Sequence, residues 1–309
     1  MKKLVCLIGV MMVLVGCTPP PQTLSVVGNT WLGYQPYYAE QVLHPEAIPA
    51  NIHITMLTSD VSVVRMVANG AAQAALLSLD NALSLQTRTD LKLCIAQVIN
   101  SSHGADAIYA PPGFDINDRQ QPWVVGMEDS ALARYLLARW MRLHDIPERQ
   151  VRREIILPNQ HATAYAAGVT DIFVTYAPFS QKLASMGAEQ IFSSREIPGE
   201  IIDTLVVKQE SWQQHQAALK RLTGPVWDKA LTAALDPQHT YYQALQTLSG
   251  INAEELRQSL ASLTLYNSAA SRTFLQQDYA RVQQQVSEQL VASGIHQVIT
   301  PLPICEGVL

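Results

Sequence analysis

Strand and helix patterns alternate along this chain in two separate blocks, and that arrangement limits the fold more than any other feature. In the first block, apolar runs at 24–27, 52–56, 72–77 and 91–99 read as strands. A helix is expected over 61–68, with Asp60 as its cap and Asn69-Gly70 as its stop. Pro111-Pro112-Gly113 breaks the chain. The second block opens with a strand at 123–126 and a helix from about 130 to 144, whose inner face carries Leu132, Tyr135, Leu136, Trp140 and Leu143. A strand at 154–157, a helix at 162–167, a strand at 171–175 and a helix opened by Pro178 follow. After Ile197-Pro198-Gly199, residues 203–207 read as one more strand, and the remainder is mainly helical. There Phe274, Leu275, Tyr279, Val282, Val286 and Leu290 recur at helical spacing, which predicts one amphipathic helix with a glutamine-rich outer face. Such alternation implies parallel-rich sheets covered by helices, and sheets of that kind take ligands at the carboxyl ends of their strands. Junctions at 109–116 and 197–203 let the chain cross twice between two lobes, with a cleft between them.

The first seventeen residues carry a separate signal. Lys2 and Lys3 precede an apolar run over 4–15, too short to span a bilayer, which takes about 20 residues. A basic start, an apolar run and a small-residue end form a secretory signal. Leu14-Val-Gly-Cys17 resembles the bacterial lipobox, which implies that Cys17 is acylated and becomes the first mature residue. Residues 1–16 are then a signal peptide, and 17–23 a lipidated anchor with a stiff proline linker. An ordinary signal peptide or a membrane helix are the alternatives. The expected location is periplasm-facing and lipid-anchored, on the inner leaflet of the outer membrane in a Gram-negative cell.

Loss of residues 1–16 removes two of the 21 basic residues and none of the 26 acidic ones. The acidic excess argues against nucleic acid or an anionic membrane surface as a partner. With 48 % hydrophobic residues over 309 positions, the chain can bury a sizeable core and divide into two lobes. Of four cysteines, Cys6 leaves with the signal and Cys17 takes the lipid. Cys94 and Cys305 remain; in an oxidising compartment they either join, tying the C-terminal tail to an early strand, or stay unpaired.

Weak motifs in a fixed order then carry a family resemblance over about 24–290. Trp31-Leu-Gly-Tyr34 with Pro36 and Ala39 follows the first strand. Ser59-Asp60 precedes a helix that ends at Asn69-Gly70. Ser101-Ser-His-Gly-Ala-Asp-Ala-Ile108 leads toward the junction, and Gly126-Met-Glu-Asp-Ser130 opens the long helix. Gly168-Val-Thr-Asp171, Thr175-Tyr-Ala-Pro178 and Ile197-Pro-Gly199 complete the series. This order resembles the substrate-binding components of bacterial ABC importers, in the nitrate, sulfonate, taurine and thiamine-pyrimidine-precursor group. Gln73 stands where that pattern has an aspartate, and Tyr176 where it has a tryptophan. The resemblance implies a two-lobed α/β periplasmic-binding-protein fold with a helical C-terminal part. Lobe 1 is expected at 24–112 plus 204–309, and lobe 2 at 113–203.

The candidate ligand residues follow from their places at strand ends. Trp31 and Tyr34 come just after the first strand, where an aromatic face can stack on a ligand or a cation. Ser59 and Asp60 open a helix; a cap alone would justify Asp60. Asp80 follows a buried strand, and Asp106 interrupts an apolar segment where a carboxylate needs a partner. Glu128 and Ser130 start the long helix, and Thr175 and Tyr176 end a strand of the second block. His161, before a helix, is a modest further candidate. The candidate helix starts carry acids and no adjacent Lys or Arg, which disfavours an anion at their N-termini. The favoured ligand is a neutral polar or amine-bearing small molecule.

Histidines lack metal-ligand spacing, so no metal is expected, and no cofactor. There is no G-x-S-x-G, H-E-x-x-H, G-x-x-x-x-G-K or G-x-G-x-x-G. The expectation is a monomeric, non-enzymatic solute-binding lipoprotein that closes on its ligand and delivers it to an ABC permease. A ligand-sensing lipoprotein that reports to a membrane receptor is the rival, and an enzyme on the same fold a third reading.

Overall fold

The computed structural model describes residues 23–118 and 120–309; the signal peptide, Cys17 and nearly all of the linker lie outside them. The chain begins with β1 (Leu24–Gly28), α1 (Gln35–Leu43), β2 (Ile52–Met56), α2 (Asp60–Ala68), β3 (Ala74–Ser78), α3 (Leu79–Arg88) and β4 (Leu93–Ser102). A second series follows: β5 (Asp106–Ala110), β6 (Trp123–Met127), α4 (Ala131–Leu143), β7 (Val151–Ile155), α5 (His161–Ala166), β8 (Ile172–Tyr176), α6 (Phe179–Ser185) and β9 (Glu189–Ser193). The chain returns through β10 (Ile202–Lys208) and continues with α7 (Gln209–Arg221), α8 (Trp227–Ala234), α9 (Thr240–Ser249) and α10 (Ala253–Ala261). The short β11 (Leu263–Leu265), α11 (Ser268–Gln277) and α12 (Tyr279–Ala292) come last.

These strands form two sheets, one per lobe, in the orders β11-β4-β10-β3-β1-β2 and β7-β6-β8-β5-β9. β1 pairs parallel with β2 and β3, and β6 with β7 and β8. β10 and β5 run antiparallel to both of their neighbours. The reason is topological. β5 and β10 bring the chain in from the opposite lobe, so they start at the cleft and run away from it, against strands that run toward it.

The crossings fall elsewhere than expected. The chain leaves the first sheet after Ser102 and joins the second at Asp106, so β5 belongs to the second lobe's sheet. Ile202 and Asp203 already belong to the first. The limits at 112/113 and 203/204, and the junction at 109–116, shift accordingly, and Pro111-Pro112-Gly113 is a loop within the second lobe. Gly104 sits at the first crossing with φ 111°, a value that favours glycine. A Cβ there would lie 2.7 Å from Nε of Arg195, which donates to the His103 carbonyl at 3.1 Å.

Other differences have local causes. The single late helix is two, α11 and α12, broken at Asp278. Leu143, expected on the inner face of α4, is 50 % exposed, while Tyr135, Leu136 and Trp140 are buried as the periodicity predicts. β7 is shifted toward the N-terminus of its expected place, and β9 was not anticipated. Both lie at sheet edges; β7 exposes four of its five residues and β9 the first two of its five, so an apolar run does not mark them. Cys94 and Cys305 are joined. Around them, Ile95 N–H donates to the Pro303 carbonyl and Cys305 N–H to the Ile95 carbonyl, both at 2.9 Å, which seats the tail on β4.

Candidate functional site

Polar residues converge where the two sheets face each other. Asn29 and Trp31 follow β1, Ser59 and Asp60 follow β2, and Ser78 and Asp80 stand at the end of β3 and start of α3. Asp203 is the second residue of β10, its Cα paired with Ser78 on one side and Asn100 on the other. The second lobe contributes Asp106 at the start of β5, paired with Tyr176 at the end of β8. Glu128 and Ser130 follow β6. Each is at the carboxyl end of a parallel strand or the first residues of an antiparallel one, the place where α/β sheets bind ligands.

All five carboxylates, Asp60, Asp80, Asp106, Glu128 and Asp203, are buried. Asp60 is not the cap of α2. Ser59 is, its Oγ accepting from the Ser62 N–H at 3.3 Å. That frees the Asp60 carboxylate to accept from Nδ2 of Asn29 and Nδ2 of Asn81, each at 2.8 Å. The Tyr34 hydroxyl donates to Oδ1 of Asp203 at 2.5 Å. Oδ2 of Asp80, Oδ2 of Asp106, Oε2 of Glu128 and Oδ2 of Asp203 have no hydrogen-bond partner, nor do Nε1 of Trp31, the Asn100 amide or Oγ1 of Thr175.

Burial without a counter-charge dominates the titration of this cluster. It pushes Asp60 up to about 7, with the Asn81 bond opposing. Asp80 is pushed up to about 8, again by burial first, with Asp60 and Asp106 repelling its charge. Burial and the Asp60 charge raise Asp106 to about 7, against the Ser102 hydroxyl. Glu128 and Asp203 are held well above the ordinary carboxylate range by burial and by neighbouring acids. No Lys, Arg or His stands among the groups that act on these five.

The lobes are fastened across this cluster. Oδ1 of Asn81 accepts from the Ala131 N–H at 2.9 Å, the first turn of α4, while Glu128 reaches the amides of Val61 and Asp60 at the start of α2. Each lobe thus supplies a side chain to the other's helix N-terminus, where free amides and the helix dipole favour an acceptor. Nδ2 of Asn29 also reaches the Tyr176 hydroxyl at 3.4 Å, and the Trp31 and Tyr176 rings meet edge to face, 5.8 Å between centroids. Beside the acids, Asp106, Glu128, Thr175 and Tyr176 share a cavity of about 10 Å³ with Leu132, Leu136 and Val174, room for about one water. This conformation is closed.

Of the expected site residues, Trp31, Tyr34, Ser59, Asp60, Asp80, Asp106, Glu128, Ser130, Thr175 and Tyr176 are brought together. Ser59 and Ser130 act as helix caps there, Ser130 accepting from the Ala133 N–H at 3.1 Å. His161 is placed apart. Its ring packs on Phe173 beneath α5, and Nε2 lies 3.2 Å from the Ile156 carbonyl. Burial drives it down to about 4, and no acid of the cluster acts on it. Asn29, Asn81, Asn100 and Asp203 stand in the same cluster and are not among the expected residues. Asp203 had a visible signal, a lone charge at the head of an apolar strand. The asparagines had none, since a polar residue after a strand is ordinary loop chemistry.

No protein-family model matches the sequence, and no curated protein matches it. Solved structures do. The alkanesulfonate-binding protein of Xanthomonas axonopodis pv. citri, bound to MOPS, superposes with a TM-score of 0.70 at 13 % identity, over 91 % of this chain and 97 % of that one. The fold is that of the binding components of ABC importers. A ligand-binding component from Staphylococcus aureus, solved with zinc bound, gives 0.73 at 11 % identity over 92 % and 96 %. The nitrate-binding protein of Synechocystis PCC 6803 gives 0.66 at 11 % over 90 % and 83 %. This fold is shared across very different ligands. Among the described residues, no three or more His, Cys, Asp or Glu are set to hold a metal ion, and no helix is long and apolar enough to cross a membrane.

Proposed function

We propose that this protein is an extracytoplasmic solute-binding lipoprotein that captures a small amine-bearing molecule between its lobes and delivers it to an ABC importer. One observation carries the reading: five buried carboxylates from both lobes meet where α/β sheets bind ligands, with no cationic side chain among them. Such a cluster offers nitrate or a sulfonate no cationic partner, whereas a cation lowers the raised carboxyls and pairs with them through charge-assisted hydrogen bonds that contribute about 1.5–3 kcal/mol each. The faces of Trp31 and Tyr176 add cation–π contact. Cys17, behind its apolar leader, is the acylated anchor that holds the protein facing the periplasm. No enzymatic step is assigned.

Mass spectrometry of small molecules released from the natively purified protein tests the reading directly. An amine is expected. Recovery of a sulfonate or nitrate, with stabilisation by that anion in thermal melts, overturns it. Cys17→Ser is expected to release the protein from membranes; continued membrane association at the unprocessed mass overturns the anchor.

A further inference from the structure

We infer that the cleft takes an organic cation with N–H groups on at least two separated nitrogens, an oligoamine or guanidino-amine, rather than a single ammonium or a metal ion. The inference rests on the solute-binding reading above and names the class of its solute. Four carboxylate oxygens carry it: Oδ2 of Asp80, Oδ2 of Asp106, Oε2 of Glu128 and Oδ2 of Asp203, all on buried residues and all without partners. They come from α3, β5, the turn after β6, and β10, so both lobes contribute them, and Asp106 and Glu128 line the cavity described above. Thr175, whose buried Oγ1 is also unpartnered, lines the same cavity as Asp106 and Glu128. Asp60 is different, because Asn29 and Asn81 already occupy both of its oxygens.

The choice among cations follows from geometry. A calcium or magnesium ion needs several oxygens around one point, and no three such groups among the described residues are so arranged. A primary ammonium carries its three N–H donors on one atom, so it too reaches only oxygens that converge. A quaternary ammonium has no donor and leaves all four oxygens bare, each a buried acceptor without a partner. Nitrogens separated by a carbon chain can answer oxygens on opposite walls. Leu132, Leu136 and Val174 flank Asp106 and Glu128 in the cavity; in this closed form it holds about one water, so the lobes part before these side chains offer that chain an apolar surface.

Titration calorimetry of the mature chain at pH 8, stripped of small molecules by unfolding and refolding, tests this with four probes. 1,4-Diaminobutane and 4-aminobutylguanidine are the expected binders. Butylamine is expected to bind at least tenfold more weakly, and tetramethylammonium not at all. Binding of the diamine should release protons, seen as an enthalpy that depends on the buffer. Asp80→Asn and Asp203→Asn should each weaken diamine binding at least tenfold. Their thermal midpoints without ligand should be unchanged or raised, a combination that a structural role for these acids would not produce. Equal affinity for butylamine and the diamine overturns the multi-nitrogen inference and leaves amine capture standing. Equal affinity for tetramethylammonium overturns it in favour of an aromatic cage. No response to any amine, with stabilisation by an alkanesulfonate, sinks both this inference and the reading it rests on.

Discussion

Glu200 and the five cleft acids are all buried carboxylates, and they are treated in opposite ways. Glu200, on the crossing back to the first lobe, accepts from Nε and Nη2 of Arg139 at 2.7 and 2.8 Å and from the Tyr135 hydroxyl at 2.7 Å. The Glu200 bonds hold the Arg139 guanidinium above its ordinary value, against the effect of burial. The cleft acids are as deeply buried, yet they receive only amides and hydroxyls, and four of their oxygens receive nothing. Burial alone therefore says little about what a charged residue is for. A buried carboxylate with its counter-charge in the same chain fastens α4 to the crossing. Buried carboxylates without one look for it outside the chain.

The largest expected effect falls on the compensated group. Arg139→Met leaves Glu200 buried and unpaired and should cost about 3–5 kcal/mol in denaturant unfolding; an unchanged midpoint would break the contrast. The next concerns pH. Asp60 and Asp106 at about 7 and Asp80 at about 8 hold protons in the folded protein that the unfolded chain, with ordinary aspartate values, has already released. Between about pH 4 and pH 8 the folded state therefore binds more protons, and its stability falls as pH rises through that window. The slope approaches about 1.4 kcal/mol per pH unit for each proton held. Thermal midpoints of ligand-free protein should be higher at pH 5.5 than at pH 8, and the opposite order would show that the cluster is compensated after all. Asn81→Ala removes a donor to Asp60 and the acceptor for Ala131, and should cost about 1–3 kcal/mol. Asp106→Asn has the smallest effect on stability, neutral or stabilising by up to about 1 kcal/mol, because it removes a repelling charge. A loss of stability as large as that of Arg139→Met would place Asp106 with the scaffold.

Much of this was legible in the residues. Asp106 stands out because a carboxylate inside an apolar run demands an explanation, Glu128 because it stands at the start of the long helix, and the two-block alternation locates the strand ends that hold them. What escaped notice depends on contacts distant in sequence. Asp60 is open to two readings in the sequence, cap or ligand contact, because its neighbour Ser59 can cap equally well, and only the position of Asn29 and Asn81 decides between them. His161 looked like a site residue from its place before a helix, but the face of α5 it occupies is set by Phe173. Residues 106–110 are not marked as a strand by the pattern and fall on the far side of the expected boundary, because pairing with β8 and β9, rather than sequence order, assigns them to the second sheet.

The sheet order has a consequence for how the protein is made. β10 lies between β3 and β4, although the whole second lobe separates it from them along the chain. A ribosome that has completed β1 to β4 has therefore produced a sheet without its central strand. All five strands of the second sheet, β5 to β9, are by contrast consecutive and can pair as they emerge. The half of the molecule synthesised first is the half that must wait, and its apolar strand faces need protection until the last third of the chain arrives.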